Sequence, residues 1–488
     1  MMLLLPVIFP IVCGVVLLSR NEKAGEWGSA FYIAAILITD ALALLAIFFG
    51  EPVELLHLSP KVRLALYVDA IGKWFLITAI FLYTCVLFYS LVYMKVKERK
   101  PVFYGFYFIS LGALIAVCFA ENMVTIYLAF ELTTLSTVPL VLHEQTKEAV
   151  AAAMKFLFYS IGGALLGLVG IFFLYTYAGD SLTFDPAGVL DPVRTAGHEQ
   201  LLYLTSFIAV LGFGAKAGMF PLHGWLPTAH PIAPAPASAL LSGIITKSGV
   251  LVIIRFVYYS IGSAFLAGSW MDHVWTCLTL LTIFMGSMMA FRENNLKRRL
   301  AYSTISQVSY ALLGLSLCSG YGLRGCLLQV MQHGPSKACL FLCAGAFIYE
   351  YGIHDVRDLK AIGRKMPIVL WTLTFAAMSL VGIPPMGGFA SKWKLVDASL
   401  MADMGFLSIL APIVLLISAL LTAGYLFPIM IDGFFPGKDI SQRQADRIGL
   451  SEKGPFEAAP RMMWIPLICL CGLSLFIGLF GNWLLTLL

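Results

Sequence analysis

The chain has 488 residues, of which 60% are hydrophobic and 12% charged, and its formal net charge at pH 7 is +5. Soluble domains average about 25% charged residues, so this composition excludes a soluble globular protein and predicts an all-α integral membrane protein in a lipid bilayer. The sequence has no basic tract with interleaved aromatic residues, which argues against nucleic acid as a partner.

Continuous apolar runs predict about fourteen transmembrane helices in a single membrane domain over residues 1–488. In chain order the predicted spans cover residues 2–19, 29–50, 72–94, 101–120, 123–142, 150–177, 200–222, 236–261, 271–291, 300–319, 322–349, 367–395, 405–431 and 461–485. The longest polar stretches between them are 178–200 and 432–460. Because the N-terminus lacks a basic region and a cleavage site, we expect the first run to be retained as a span.

Basic residues are concentrated in the loops that follow odd-numbered spans. These loops carry Arg20, Lys23, Lys95, Lys97, Arg99, Lys100, Lys147, Arg292, Lys297, Arg298, Arg299, Arg357, Lys360, Arg364, Lys365, Lys438, Arg443, Arg447, Lys453 and Arg461. The even-numbered loops hold Lys61, Arg63, Arg194 and Arg324. Since cytoplasmic loops carry the excess of lysine and arginine, this asymmetry predicts that both termini lie on the outer side of the membrane.

Two similar five-residue phrases, GFGAK at 212–216 and GFASK at 388–392, lie in apolar sequence, each beside helix-breaking glycine and proline residues. The phrases lie in the fourth members of two five-helix sets, helices 4–8 over 101–262 and helices 9–13 over 270–432. Sets with an odd number of spans insert in opposite orientations. The pattern therefore predicts two inverted repeats, each with an interrupted helix and an ion site.

Lys216 and Glu131 are the first candidate pair at membrane depth, where a charged side chain indicates function. Glu131 lies well inside a preceding span and is followed by several threonines and a serine. Burial favours a neutral amine, whereas a nearby carboxylate favours the ammonium form, so moving the carboxylate would change the proton affinity of the lysine. The alternative is a static ion pair that holds two helices together.

Further polar and charged residues lie inside later predicted spans. Lys247 lies near the middle of its span, whereas Arg255 is close enough to the span's end to reach the outer interface. A polar stripe follows in a later span: Gln329, Gln332, His333, Ser336 and Lys337. Its spacings of three and four place these residues on one helix face, which is typical of the wall of a hydrated path, and histidine titrates near physiological pH. The alternative is a histidine satisfied by a neighbouring helix.

Three further titratable residues complete the candidate set. Lys392 ends the second copy of the phrase, and its match to Lys216 favours it over Lys394, although either side chain could reach the outer water. His223 and His230 lie just after Lys216 and could carry protons between that lysine and the inner side of the membrane.

Cofactor and metal sites are not expected in this chain. Its ten cysteines are scattered, with no CxxC pair and no set with iron–sulfur or zinc spacing. His223 and His230 alone provide too few metal ligands. No glycine-rich nucleotide fingerprint follows a strand, so we expect no redox centre in this chain.

Residues 213–247, FGAKAGMFPLHGWLPTAHPIAPAPASALLSGIITK, closely resemble a known family. The run is similar to the antiporter-like proton-translocating subunits shared by respiratory complex I (NADH-quinone oxidoreductase), membrane-bound energy-converting hydrogenases and multisubunit cation/proton antiporters. Shorter matches are FEL at 130–132, LAYSTIS at 300–306, HGPSK at 333–337 and GIPPMGGFASK at 382–392.

This resemblance implies fourteen helices, two inverted five-helix repeats, broken helices at the seventh and twelfth spans, and a hydrated polar axis across the membrane. By position it implies that Glu131 and Lys216 form a coupling pair, that Lys247 and His333 form a central relay, and that Lys392 is the exit lysine. It also implies other hydrophobic subunits as partners, protons or sodium ions as cargo, and a prokaryotic inner membrane as the location.

The expected function is therefore an ion-translocating subunit of a larger membrane complex. The rival interpretation is a stand-alone secondary transporter of an organic solute, which would place a binding pocket between the repeats. Here the deep polar residues are rich in lysine and spread over many helices, which fits a relay better than a pocket. A quinone- or haem-binding enzyme is a weaker third interpretation. The sequence leaves open the ion, the complex and its electron donor.

Overall fold

The computed structural model describes residues 1–19, 28–59, 61–437, 448 and 456–486. Its α-helices are α1 (Leu5–Ser19), α2 (Ser29–Phe49), α3 (Ala70–Tyr93), α4 (Lys100–Phe119), α5 (Met123–Val141), α6 (Lys147–Tyr177), α7 (Pro192–Thr195), α8 (Glu199–Ala217), α9 (Leu226–Ile232), α10 (Ala235–Leu240), α11 (Thr246–Phe256), α12 (Ser263–Leu266), α13 (Trp270–Arg292), α14 (Leu296–Ser316), α15 (Gly320–Tyr351), α16 (Pro367–Val381), α17 (Gly387–Met401), α18 (Phe406–Phe434) and α19 (Arg461–Thr486). Short 3₁₀-helices cover Met94–Val96, Val356–Leu359 and Ile362–Arg364. Two π-helical segments, Leu241–Ile245 and Val257–Ile261, continue α10 and α11 into one rod, Ala235–Ile261.

Ten helices of the described residues are long and apolar enough to cross a membrane. Two shorter apolar helices, α1 and α16, accompany them. The long helices α14 and α15 fall outside the ten because polar and charged residues lower their mean hydropathy. In α14 these are three basic residues with several serines and a threonine, and in α15 they include Gln329, Gln332, His333, Ser336 and Lys337. The architecture is thus a mostly helical membrane bundle, and the count of fourteen spans stays a prediction.

A β-hairpin makes the expectation of an all-α chain wrong in one place. Strand β1 (Val53–Ser59) pairs antiparallel with β2 (Val62–Leu66). A single bridge joins Leu66 of the hairpin to Ala120 at the end of α4, and a second bridge nearby joins Asn122 to Thr183. The sequence did not reveal β1 because most of its residues are exposed, so no apolar–polar alternation marks a buried face.

The two ends of the bundle differ in structure and in charge. The hairpin side carries β1, β2 and the first residues of α3 and α5, and the opposite basic side carries the loops before α4, α6 and α14. Basic residues predicted for the loops of the basic side include six that lie outside the described residues: Arg20, Lys23, Lys438, Arg443, Arg447 and Lys453.

Two helices are interrupted where glycine and proline residues cluster in the sequence. Helix α8 ends at Ala217, and Gly218 has a φ of 83°, a left-handed conformation that favours glycine. Helix α16 ends at Val381 in the same way, with Gly382 at a φ of 92°. The predicted spans 200–222 and 367–395 are therefore broken helices, and α9 and α17 follow the two breaks.

The two copies of the shared phrase do not occupy equivalent places. Lys216 lies in the last turn of α8, before its break, whereas Lys392 lies in α17, after its break. The phrase therefore does not by itself establish an internal repeat. The two five-helix sets do resemble each other in another respect, since the third member of each is long, with 31 residues in α6 and 32 in α15.

Candidate functional site

Lys216 is held inside the bundle by neutral acceptors. Its side chain is 1% exposed, and Nζ donates hydrogen bonds to the Phe130 carbonyl at 2.9 Å, to Thr133 Oγ1 at 2.7 Å and to Thr134 Oγ1 at 2.9 Å. Nζ also lies 3.8 Å from the centroid of the Phe130 ring, a distance suited to a cation–π interaction. Helix α5 therefore supplies every polar contact that the described residues make to this amine.

Glu131 is close enough to Lys216 for their charges to interact, but the two groups do not approach within 4.0 Å. The expected ion pair is therefore not formed. Successive helix residues are rotated by about 100°, so Glu131 lies next to Thr134 but to one side of the face through which Phe130, Thr133 and Thr134 contact the lysine. Glu131 Oε1 is buried and has no hydrogen-bond partner among the described residues. The carboxylate thus lies beside the amine without binding it.

Lys247 lies at the centre of the bundle, in the rod formed by α10 and α11. Its amine donates to the backbone oxygen of Ser242, which belongs to the π-helical segment one turn earlier. The Ser242 hydroxyl in turn lies 2.7 Å from Thr304 Oγ1 on α14. The lysine is therefore connected to a second helix through a serine residue.

Lys337 completes this connection from α15. Its Nζ donates to the Leu300 carbonyl at 2.9 Å and to the Ser303 hydroxyl. Thr304 Oγ1 donates to the same Leu300 carbonyl at 2.9 Å. Ser242, Thr304 and the Leu300 carbonyl therefore bridge Lys247 and Lys337. From the sequence, Lys337 was one member of the polar stripe, and the central relay was assigned to Lys247 and His333. In the structure, Lys337 is connected to Lys247 through shared hydrogen-bond partners.

His333 lies one helical turn before Lys337 and is fully buried, and its Nε2 has no hydrogen-bond partner in the described part of the chain.

The other members of the predicted stripe form a polar network. Gln329 Nε2 donates to the Gln307 carbonyl at 3.0 Å, and Gln332 Nε2 donates to Gln329 Oε1 at 2.9 Å. The network continues to the hydroxyls of Ser336, Ser379, Ser391 and Ser474.

Lys392 lies at the end of this network, at the break between α16 and α17. Its Nζ donates to the Leu380 carbonyl at 2.6 Å and to the Val381 carbonyl at 2.9 Å. These are the last carbonyls of α16, where the helix dipole favours a cation. The neighbouring Ser391 hydroxyl donates to Gln329 Oε1 at 2.7 Å. Lys392 therefore points into the bundle and does not extend to the outer water.

Gly388 provides a test of how tightly this break is packed. A Cβ atom at Gly388 would lie 1.7 Å from the Ser379 backbone oxygen, so Gly388→Ala must push α17 away from α16. Overpacking of this kind typically destabilises by about 1–3 kcal/mol. We expect a lower thermal unfolding midpoint for the purified complex. Gly472→Ala in α19 is the matched control, since its Cβ would meet no atom within 4 Å. Equal midpoints for the two variants would contradict the packing at this break.

His223 and His230 lie around the first break. His230 is fully buried, stacks on Phe341 at 4.7 Å between centroids, and has no described hydrogen-bond partner at either ring nitrogen. His223 is half-buried and stacks on Phe220 at 5.7 Å between centroids. Over the residues that the structure describes, no group of three or more histidine, cysteine or acidic side chains is arranged to hold a metal ion.

Lys297 is a buried lysine that sequence analysis assigned to a loop. Its side chain is 4% exposed, and Nζ donates to the Ala233 carbonyl at 2.5 Å and to the Pro231 carbonyl at 3.3 Å. These carbonyls lie at the end of the short helix α9, which carries His230, and just beyond it. The burial of Lys297 could not be predicted from the sequence, because it belongs to a run of three basic residues at the start of α14 and such a run is typical of a solvated loop.

Arg255 is also placed differently from the expectation. It is 2% exposed and makes two hydrogen bonds to Asp69, Nη1 to Oδ2 at 2.6 Å and Nη2 to Oδ1 at 2.5 Å. The prediction that its side chain reaches the outer interface is therefore wrong. No local pattern indicates this pair, since the two residues are 186 positions apart.

The fold and the buried amines define an α-helical integral membrane protein with ionisable side chains along its interior. The chain belongs to the NADH:quinone oxidoreductase/Mrp antiporter transmembrane family, whose profile matches residues 120–422. This match confirms the resemblance inferred from the sequence.

Three relatives illustrate the range of this family. NADH-quinone oxidoreductase subunit N of Desulforudis audaxviator is 29% identical over 426 residues, which is 87% of this chain and 83% of the relative. Hydrogenase-4 component B of Escherichia coli is 32% identical over 347 residues, 68% of this chain and half of the relative. A subunit of the Na⁺/H⁺ antiporter of Alkalihalophilus pseudofirmus is 25% identical over 450 residues, 91% of this chain and 89% of the relative.

Solved structures share the fold at lower identity. A protein of the Mrp complex from Dietzia sp. DQ12-45-1b matches with a TM-score of 0.80 and 21% identity, over 99% of this chain and 96% of that one. A protein of the membrane-bound sulfane sulfur reductase, an archaeal respiratory membrane complex, matches with a TM-score of 0.82 and 20% identity, over 100% and 95%. The chain is therefore an antiporter-like membrane protein by family and by fold.

Proposed function

We propose that this chain translocates protons or sodium ions across the membrane as one subunit of a larger complex. One observation carries the proposal: within the described residues, the buried lysines bind carbonyl and hydroxyl oxygens and have no carboxylate within 4.0 Å. These lysines are Lys216, Lys247, Lys337 and Lys392, with exposures between 0% and 9%. Neutral acceptors hold an amine in place without fixing its charge as an ion pair would, so each lysine can lose and regain a proton.

The relay begins at Lys216 and Glu131. A shift of the Glu131 carboxylate towards Lys216 or away from it changes the proton affinity of the amine. The proton then passes to Lys247, to Lys337 and His333, and on to Lys392 beside the glutamine network. The Ser242–Thr304 bridge holds Lys247 and Lys337 in position for this transfer. His223, His230 and Lys297 connect this line to the basic side. Amine and imidazole groups carry protons, so this arrangement favours the proton over sodium as the ion that the relay moves.

The exposed surface of α5 beside Glu131 is suited to a neighbouring subunit. Three leucines on the same side of α5 are exposed, Leu128 at 50%, Leu132 at 39% and Leu135 at 54%. A partner packed on this apolar surface would lie next to the carboxylate and could move it. The relatives support this assignment, because they are named as subunits or components of oxidoreductases, hydrogenases and antiporters. A stand-alone solute transporter is not favoured by these relatives.

The membrane arrangement belongs to the same proposal. Fourteen spans, with inverted repeats over 101–262 and 270–432, place both termini and the hairpin side outside a prokaryotic inner membrane, since the basic loops then face the cytoplasm. Any redox centre and electron donor reside in partner subunits, and this chain contributes ion transport alone.

Purification through a tag on this chain tests the proposal. We expect other hydrophobic subunits to co-purify, and we expect the reconstituted complex to move protons when energised, as measured with a pH-sensitive dye inside the vesicles. Parallel measurements with radioactive sodium determine which ion is moved. The visible spectrum of the isolated chain should lack haem and flavin bands. Solute transport by the purified chain alone would instead establish the stand-alone transporter.

A further inference from the structure

A cavity of about 510 Å³ opens on the hairpin side, outside the line of lysines. It is lined by Pro52, Tyr67, Asp69, Ala70, Ala120, Glu121, Thr183, Phe184, Pro186, Arg255 and Tyr259. Tyr67 and the two prolines are exposed, whereas Arg255 is buried, so the guanidinium forms the inner end of the cavity. We call Asp69 and Arg255 the floor pair.

The floor pair is bidentate and enclosed by aromatic rings. Besides its two bonds to Arg255, Asp69 Oδ1 accepts a hydrogen bond from Gly72 N at 2.8 Å and so caps the first turn of α3. The rings of Phe184 and Tyr259 each lie 5.1 Å from Arg255 Cζ. Burial disfavours the carboxylate, but the bonds and charge of Arg255 outweigh it and hold the pKa of Asp69 below its ordinary value. The pair is therefore ionic at neutral pH.

Arg255 is linked to the relay by its own helix. Lys247 and Arg255 both belong to α11, and a rise of 1.5 Å per residue separates their Cα atoms by about 12 Å along the helix axis. Arg255 Nε is buried and has no acceptor among the described residues, so the floor pair leaves one guanidinium donor unsatisfied. The Cα atoms of Arg255 and Lys247 are thus a little over two helical turns apart, and the buried apolar residues from Val250 to Ile254 lie between them.

We propose that Asp69 and Arg255 form an ion-pair gate that closes the lysine relay against the hairpin side. This inference rests on the proposed function, because a gate needs a relay behind it. In the closed state, the bidentate contact and the two rings fill the inner end of the cavity and keep its water away from α11. When the contact opens, water from the cavity reaches α11 and can exchange protons with Lys247. A bidentate pair suits this role because rotation of the Arg255 side chain opens it while Asp69 keeps its hydrogen bond to Gly72 N at the start of α3.

Passive proton leak through the intact complex tests the gate. The complex is reconstituted in vesicles, a potassium diffusion potential is applied, and proton entry is followed with an internal pH dye. Asp69→Asn and Arg255→Gln should each raise the leak several-fold. Arg194→Gln is the matched control, because it breaks a 3.3 Å pair with Asp191, neither residue of which lines the cavity, and it should leave the leak unchanged.

Adding Lys247→Gln to either floor-pair variant should remove the extra leak, because the route then lacks its first acceptor. An unchanged leak in assembled Asp69→Asn and Arg255→Gln complexes would overturn the gate, and so would a leak that persists with Lys247→Gln. If Arg255→Gln does not assemble, Arg255→Lys retains the charge without the bidentate geometry and takes its place. Energised proton transport is measured in the same vesicles, and its absence in the wild-type complex would refute the proposed function. The gate is tested separately, by the passive leak of the variants alone.

Discussion

Replacing Lys216 by methionine is expected to abolish energised ion transport by the complex while leaving its assembly intact. Proton-transfer groups contribute roughly 10²–10⁴-fold to the reactions they serve, so loss of this amine should reduce transport to the background of the vesicles. Methionine occupies a similar volume but carries no proton, and it therefore removes the transfer step without opening a cavity.

The complex should still assemble, because the substitution leaves none of the hydrogen-bond acceptors of Lys216 without a partner. Thr133 Oγ1 also donates to the Phe130 carbonyl at 2.5 Å, and Thr134 Oγ1 donates to it at 3.3 Å. Both hydroxyls and the carbonyl thus keep a partner within α5 when Lys216 is removed. A buried polar group that lost its last partner would destabilise the protein by about 1–3 kcal/mol.

Transport per assembled complex is the measurement, with subunit content checked by gel. Lys97→Met is the matched control, since Lys97 forms an exposed 2.7 Å pair with Glu144 on the basic side and should not affect transport. Glu131→Gln should be less severe than Lys216→Met, because the amine remains and only its control by the carboxylate is lost. Full transport by Lys216→Met would remove this residue from the relay.

The buried lysines could be recognised from the sequence because charged residues interrupt apolar runs at Lys216, Lys247, Lys337 and Lys392. Their acceptors could not, since serine and threonine are common in membrane helices and nothing local marks Thr133 or Thr304 as a partner. The relation of Glu131 to Lys216 depends on how α5 is rotated about its axis. A rotation of about 100° per residue changes which side chain meets the amine, and sequence spacing does not specify it.

Long-range pairs lie beyond sequence analysis for a different reason. Asp69 looks like the start of a span and Arg255 like a residue at the end of one, and only the packing of α3 against the rod brings them together. The hairpin shows the same limit at short range. The seven residues of β1 are mostly exposed, and the five residues of β2 are too few to show a distinctive period. The interrupted helices were easier to recognise, because glycine and proline mark them directly.

Replacing Lys337 by methionine is expected to reduce transport as severely as replacing Lys247. The reason is the bridge from Ser242 through Thr304 to the Leu300 carbonyl, which both lysines share. If the bridge holds the two amines as successive proton carriers, they act in series, and loss of either stops proton transport. Sequence position alone would instead assign the central step to Lys247 and His333.

Thr304→Val tests the bridge itself, because valine keeps the shape of threonine and removes the hydroxyl. We expect reduced transport with Thr304→Val and near-normal transport with Thr304→Ser, which retains the bonds to Ser242 and Leu300. Thr304→Val should have no further effect in a Lys337→Met background, since groups that act in series are not additive. A Lys337→Met complex that transports normally, or a Thr304→Val effect that simply adds to that of Lys337→Met, would show that protons reach Lys392 by another route.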